Sequence, residues 1–478
     1  MLVWSIFRAV QQSITLDEAD TYLWFGGGQE AKFIWYPFPN NHVLNSLLIW
    51  LSTHIFGVSV LTVRIPALLG AALYIFVAYF LCRILTERFV LQFVAFICLV
   101  YNPFILDFFA AARGYTLANA FLMVALAIPA WHAHTGRRSV AASTALASAA
   151  VGLSFVSNFS FAFVDSAALL AIAIWAIRER GADSMLRVIA ATALPVLAVS
   201  FGVCGYTITH YSREHLWYGA RSLGEMTESL VDASLYKLPD WLGYSAVVRS
   251  TGRYVLLALG FLCACRVSLG SLDREFRQNI RTKAVASLLG ILTLTVGAHY
   301  LSFHLTKLPV PMSRTAIFFL PLCTLLIVLV AALPAKSLLV RFLGHAMTGV
   351  LVILAAHYLL SLRYTYFKEY AQAAEMKEVY RVIEQLNQRY GINEFIVGGG
   401  YASPLNFYRV ALKAAKLPRF VAAPEPRIPP GKVYVIHGSY YRSFLDEHKL
   451  FVLYRGEVSQ VVVAVPSDGP VPLVPIMP

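Results

Sequence analysis

The stretch HVLNSLLIWLSTHIFG, His42 to Gly57, decides how the chain crosses a membrane. It is apolar, but it falls short of the about 20 residues a spanning helix needs, and it carries His42, Asn45 and His54. It reads as an interfacial helix lying along the membrane. The loop charges test that reading. With 42–57 kept out of the membrane, Arg83/Arg88, Arg137/Arg138, Arg178/Arg180/Arg187, the run Arg266 to Lys283 and Lys336/Arg341 all fall on one face. Loops rich in Lys and Arg are cytoplasmic. If 42–57 spanned, residues 15–41 would be cytoplasmic with almost no Lys or Arg of their own.

The composition fits a membrane protein. Of 478 residues, 58% are hydrophobic and 14% charged, and the mean hydropathy is +0.64. A soluble domain would carry about a quarter charged residues. The net charge of +13 sits between apolar runs, so it belongs to loops and lipid headgroups rather than to nucleic acid. Runs long enough to span lie at 65–82, 89–106, 115–133, 139–157, 159–177, 186–208, 251–268, 284–303, 315–333 and 338–360. With a first helix before Asp17, this predicts a mainly α, polytopic protein of about eleven spans. That first stretch, Leu2 to Ile14, holds Arg8, Gln11 and Gln12. It is a poor signal peptide, so either the start is truncated or the first helix is short and tilted. Cys82, Cys98, Cys204, Cys263, Cys265 and Cys323 sit in or beside apolar runs and read as small core residues without a disulfide or metal pattern.

The non-cytoplasmic face then collects 15–64, 107–114, the turn at Ser157-Asn158, 209–250, 304–314 and everything after about 361. Residues 1–360 form the membrane module, and 361–478 a small soluble α/β domain on the same face as the long polar loops. In that tail, Lys368 to Gly391 reads as one amphipathic helix ended by the glycine. NEFIVGGG and KVYVIHG read as buried strands with turns, and LFVLYRGEVSQVVVAV as a hairpin. The Gly398–Gly400 run lacks a phosphate-loop pattern and reads as a turn.

Chemistry-bearing residues gather on that face. TLDEAD, Thr15 to Asp20, places Asp17, Glu18 and Asp20 beside a hydrophobic span. Such acids cap helices, with Thr15 or Asp17 as N-cap. They also supply a general base when held near an acceptor hydroxyl. Arg113-Gly114-Tyr115 ends a span beside Asp107, and its guanidinium suits a lipid phosphate as well as an ion pair with that acid. His304 to Arg314 carries Pro309 and Pro311 in an extended loop, where Lys307 and Arg314 could clamp a phosphate or simply snorkel. Asn40, Asn41 and His42 could hydrogen-bond a sugar. So could His210 in a loop that also holds Tyr211, Arg213, Glu214, His215, Trp217 and Tyr218. His210 and His215 are not at helical metal spacing, so no metal site is assigned.

The order of these features resembles the GT-C glycosyltransferases, specifically the bacterial protein-mannosyltransferase-like and RgtA/B/C/D-like group. The resemblance rests on the Asp17-Glu18 pair in the first outer loop, FGVSVLTVRIPALLGAAL opening the next span, and Ala112-Arg113-Gly114-Tyr115 in the second outer loop. It covers residues 13–135 well and the later spans by layout alone. The Asn40-Asn41-His42 segment departs from the Pro-Pro-Leu of many relatives. The resemblance implies an inverting transfer from a polyprenyl-phosphate sugar to a lipid-linked, glycan or protein acceptor, at the outer face of a bacterial inner membrane. It implies Asp17 as base with Glu18 beside it, and Arg113 and Arg314 near the lipid phosphate. A divalent cation at the acidic pair stays open. The rivals are a lipid or polysaccharide transporter or flippase, and a non-catalytic membrane subunit. A transporter predicts charges near the midplane, for which Asp165 is the main candidate.

Overall fold

The computed structural model of the chain describes residues 1–28, 33–136, 139–180, 185–212, 216–235, 258–269, 279–413, 416–423, 429–439, 441–469 and 471–476. Helix α1 (Leu2–Gln11) leads to α2 (Leu16–Asp20), which continues into a π-helical turn at Thr21–Phe25. Then come α3 (Val43–Phe56), α4 (Val60–Leu85), α5 (Phe89–Val100), α6 (Pro103–Ala110), α7 (Tyr115–Thr135), α8 (Val140–Ser157), α9 (Ala162–Arg180), α10 (Met185–Thr209) and α11 (Leu223–Ser234). The membrane part closes with α12 (Ala258–Leu269), α13 (Ile280–Thr306), α14 (Phe319–Ala332) and α15 (Leu338–Leu360).

Among the described residues, eight helices are long and apolar enough to cross a membrane, or nine if the bent pair α5–α6 counts as one span. That pair is bent by 54°. The break has a local cause: Pro103 opens α6, and Asn102 caps it by accepting the Phe104 and Ile105 amides at 3.0 and 3.4 Å. The chain is thus a multi-pass membrane protein, as its composition implies. The expected count of eleven is not reached among the described residues. The run 251–268 is described only from Ala258, and α1 has 10 residues, about 15 Å of helix against a hydrocarbon core of about 30 Å.

Helix α3 has 14 residues, about 21 Å, also too short to span. Its contacts keep it at one end of the bundle. Ser52 donates to the Thr62 carbonyl at 2.9 Å and Asn45 to the Ala112 carbonyl at 3.2 Å, so α3 lies across the points where α4 and α7 begin. The 15–64 loop, the α6–α7 turn, the end of α8 and the α13–α14 loop all meet there. At the other end, Arg266 donates to the carbonyls of Val330 and Leu333 at 2.6 Å each and to that of Val340. Arg281 pairs with Glu87 there at 3.2 Å. The described basic loops therefore share one end, opposite the acids. Arg137 and Arg138 lie outside the described residues.

After α15 the sequence suggests one continuous helix, but the structure breaks it. Lys368–Ala373 is a 3₁₀ turn in which Tyr370 leaves helical geometry at φ −124°, ψ 35°. Helix α16 (Met376–Tyr390) starts only after it, and Gly391 closes α16 in the left-handed conformation at φ 66°. There follow β1 (Phe395–Val397), α17 (Ala402–Ala411), β2 (Val433–His437), α18 (Arg442–Glu447), β3 (Leu450–Arg455) and β4 (Val461–Pro466). The sheet order is β1-β2-β4-β3. β1 and β2 are parallel, with Phe395 opposite Val433; β2/β4 and the β4/β3 hairpin are antiparallel. Gly399 and Gly400 lie in the turn after β1, and the Gly398 amide donates to Val435 at 2.9 Å. Buried Val433, Val435, Val461, Val463 and Val465 pack under Val379, Ile383 and Leu386 of α16. The same apolar core takes in Ile14, Ala19, Tyr22 and Leu23. The C-terminal unit is therefore docked on the stretch from Ile14 to Leu23, not tethered beside it.

Candidate functional site

Thr15 caps α2. Its hydroxyl accepts the Glu18 amide at 3.3 Å, and the Glu18 carboxylate accepts the Thr15 amide at 3.0 Å. This reciprocal capping points the two neighbouring acids in different directions. Glu18 is fully buried and pairs with Arg64 through both oxygens, at 2.8 and 2.7 Å, while Oε1 also accepts the Ala112 amide at 2.6 Å. Arg64 spends its remaining donors on the carbonyls of Ala9, Gln12 and Ser13, at 3.1, 2.9 and 2.8 Å. The expected catalytic role of Glu18 meets a physical obstacle: both oxygens are used, and no solvent reaches them. It fastens α1, α2, α4 and the α6–α7 turn together.

Asp17 faces the other way, into a polar cluster. Its Oδ2 lies 3.4 Å from Arg314 and accepts the Tyr370 hydroxyl at 2.9 Å. Arg314 also approaches Glu369 at 3.4 Å and stacks over the Tyr218 ring at 4.6 Å. Ser313 donates its hydroxyl to Glu369 at 2.8 Å and its amide to Ser229 at 2.9 Å. Ser313 adopts φ +49°, a left-handed conformation that is costly outside glycine, just before Arg314. Burial alone would push the Asp17 carboxyl up, but Arg113 and Arg314, helped by Tyr370 and Asn40, outweigh it and hold the carboxyl below its ordinary value. Asp17 is therefore a carboxylate at neutral pH, half-buried beside a cation.

Arg113 differs from the expectation that it meets a phosphate. It is 1% exposed, and its two terminal nitrogens are already engaged. Nη1 donates to Thr21 Oγ1 at 2.8 Å and to the carbonyls of Asn40 and Asp17 at 3.2 and 3.3 Å. Nη2 reaches Asn40 Oδ1 and, at 2.7 Å, His42 Nε2. A guanidinium can only donate, so His42 Nε2 accepts and Nδ1 carries the proton, which goes to the Ser157 carbonyl. Burial, then the Arg113 charge, push the His42 imidazole well below its usual range, so it stays neutral. Nor does Asp107 pair with Arg113: Arg8 takes it at 2.5 Å, and the Lys368 amide donates to its other oxygen at 2.9 Å. Gly114 is required where it sits, because a Cβ there would overlap the Ser157 carbonyl oxygen.

Tyr115 belongs to the same neighbourhood, its ring edge-on to His42 at 5.0 Å. Asn40 and His42 join the cluster, whereas Asn41 is spent on the loop itself, donating to Ile34 and Tyr36 and accepting from Ser46. Lys307 and His210 are not drawn in. Lys307 is exposed at the left-handed C-cap of α13, and His210 stacks on Tyr206 of its own helix at 4.1 Å. Arg213, Glu214 and His215 lie outside the described residues. The sequence reading missed Tyr370 and Glu369, named Tyr218 only among the aromatics of its loop and quoted Arg64 only within the stretch that opens α4; the T-x-x-E spacing of Thr15 and Glu18 was the available signal that Glu18 belongs to a helix cap.

Helices α11, α13, α14 and α15 line an open cavity of about 640 Å³ with a mainly apolar lining that includes Met226, Leu230, Val296, Phe319, Leu320 and Leu354. Phe319 follows Arg314 closely along the chain, and α11 carries the Ser229 that holds Ser313. Among the described residues, no group of three or more His, Cys, Asp or Glu side chains is arranged to hold a metal ion.

No family model matches the sequence, and no curated protein does. Among solved structures, the chain is similar to ArnT from Cupriavidus metallidurans bound to undecaprenyl phosphate, with a TM-score of 0.44 at 12% identity over 99% of this chain and 97% of that one. The apo state of that protein gives 0.43 at 13% identity over 97% and 96%. The arabinosyltransferase EmbB from Mycobacterium smegmatis gives 0.40 at 14% identity over 75% of this chain and 40% of that one.

Proposed function

We propose that this chain is an inverting glycosyltransferase that moves a sugar from a polyprenyl-phosphate donor to a lipid-linked, glycan or protein acceptor at the outer face of the membrane. The observation that carries the reading is the pairing of Asp17 with Arg314, whose loop is tied through Ser313 to the helix that lines an apolar cavity with Met226 and Leu230 and runs on to Phe319 in the same lining. A carboxylate and a guanidinium at a membrane boundary suit a reaction whose acceptor is polar and whose leaving group ends in a hydrocarbon chain. The cavity suits the isoprenoid part of such a donor.

In this mechanism the acceptor hydroxyl approaches C1 of the sugar from the face opposite the phosphate. Asp17 takes the hydroxyl proton as the new C1–O bond forms, and the C1–O bond to the phosphate breaks with its electron pair leaving on oxygen. Arg314 neutralises the charge that grows on that oxygen. Arg113, buried and engaged, supports the reaction by ordering Asp17, Thr21, Asn40 and His42. Glu18 acts through Arg64 on the frame. Lys307 and His210 have no role in this mechanism, and no step in it calls on a metal.

Against a transporter stands the position of Asp165. It is buried in the first turn of α9, toward the site end of the bundle. The test is Asp17→Asn in a transfer assay with polyprenyl-phosphate sugars. General-base loss costs about 10²–10⁴-fold in turnover, so transfer falls by that much while the protein stays folded and monodisperse. Full transfer by the mutant would remove Asp17 as base.

A further inference from the structure

The short connector between the last span and the C-terminal unit makes an unusual set of contacts. Phe367 is buried, with the Arg8 and Arg64 guanidiniums at 5.4 and 5.2 Å from its ring. The next amide, that of Lys368, is fixed on Asp107 at 2.9 Å. The next side chain, Glu369, lies on Ser313 and Arg314. The next, Tyr370, donates to Asp17 Oδ2 at 2.9 Å. Four consecutive residues thus reach four separate parts of the outer end. Tyr370 leaves helical geometry here, so the connector follows its separate partners and not a continuous helix into α16.

Beyond the connector, the C-terminal unit is pinned to the same loop that carries Asp17. The Lys377 amide donates to Ser13 Oγ at 3.1 Å, and the Ile14 amide to the Tyr408 hydroxyl at 3.0 Å. The edge of Tyr22 meets Phe407 at 5.6 Å. These contacts hold the connector in register with α2.

We propose that Tyr370 is a positioning residue for the proposed reaction, supplied by the connector to the C-terminal unit, which fixes the Asp17 carboxylate through its Oδ2. The proposal rests on the reading of Asp17 as the base. Tyr370 meets the requirements of that job. It is 4% exposed, so water does not compete for its hydroxyl. Burial pushes its phenol well above the ordinary value, so the hydroxyl remains a donor at any working pH. Its ring centroid lies 5.8 Å from the Arg314 guanidinium carbon. A carboxylate held between a phenol and a guanidinium has one rotamer, and one orientation toward the acceptor, instead of several. The C-terminal unit then has a catalytic reason to be docked: it delivers Tyr370.

The experiment compares the full-length wild type, Tyr370→Phe and Asp17→Asn in detergent. The readout is release of lipid phosphate from a panel of polyprenyl-phosphate hexoses and pentoses, each offered lipid-linked, glycan and peptide acceptors, across pH. Tyr370→Phe keeps the ring and its packing and removes only the hydrogen bond. The expected result is a fall in kcat of about tenfold, in line with loss of a hydrogen bond to a charged group. KM for the donor stays unchanged. The acid limb of the pH profile moves to higher pH, because the carboxylate has lost a donor that favours its charged form. A merely structural tyrosine would leave that limb in place. An unmoved limb with wild-type kcat overturns the positioning role while Asp17→Asn remains inactive. Full turnover by Asp17→Asn, or no turnover by the wild type with any donor of the panel, overturns the base assignment and this inference with it.

Discussion

Asp17 and Arg314 sit 3.4 Å apart, and the behaviour of each depends on the other. The carboxyl is held below its ordinary value, so its charged form is favoured in the folded protein. A group depressed in this way adds stability above its unfolded pKa of about 3.9 and loses it as pH falls through the lower folded value. Removing the cation weakens this effect. In Arg314→Gln the Asp17 carboxyl rises, so the acid limb of activity moves up in pH. The lost stabilisation of the leaving phosphate lowers kcat by about 10²–10³-fold. A pH–rate series on the purified variant reads both effects. At this scale the sequence was half legible. Acids beside a span marked Asp17, and the prolines near Arg314 marked its loop. What separates Asp17 from Glu18 is the direction each side chain takes on a short capped helix. The T-x-x-E spacing held that information, because it commits Glu18 to its own N-terminus. Tyr370 was hidden, because its partner is 353 positions away along the chain.

Among the elements, the Glu18–Arg64 pair explains why an Arg-x-Pro sequence opens α4. Ser59 caps that helix, and one turn in, Arg64 closes the end of α1 and the start of α2 at once. Both side chains are fully buried, so the pair is costly to break from one side: removing one partner of such a pair costs about 3–5 kcal/mol. Arg64→Ala is therefore expected to lower the thermal unfolding midpoint in detergent sharply and to reduce yield. Glu18→Gln, which keeps shape and most hydrogen bonds, is expected to cost less. A midpoint for Arg64→Ala within a degree or two of wild type would contradict the frame role. The helix read across Lys368 to Gly391 failed at the same scale. Its amphipathic pattern is real from Met376 onward, but Phe367 to Tyr370 are held by tertiary contacts that override local propensity.

For the whole molecule, the separation of the basic loops from the acids was the most legible property, because it depends on sums of charge over loops and not on single residues. Keeping 42–57 out of the membrane brought the described basic loops to one end and the acids, Arg113 and Arg314 to the other, and the hydrogen bonds of Arg266, Arg281, Asn45 and Ser52 follow that division. The docking of the C-terminal unit was not legible. Its valines and the first loop's Ile14, Ala19 and Tyr22 each read as ordinary core, and only the fold joins them. That joining makes the site a meeting of the first loop, the α6–α7 turn, the start of α14 and the connector at 367–370. The most direct measurement of this account is a structure of the full chain with a polyprenyl-phosphate donor bound. It should show the phosphate on Arg314, the Glu369 carboxylate moved off that guanidinium, the isoprenoid in the cavity lined by Met226, Leu230 and Phe319, and Asp17 facing the sugar. A phosphate seated away from Arg314, at Lys307 or among the arginines of the opposite end, would contradict it.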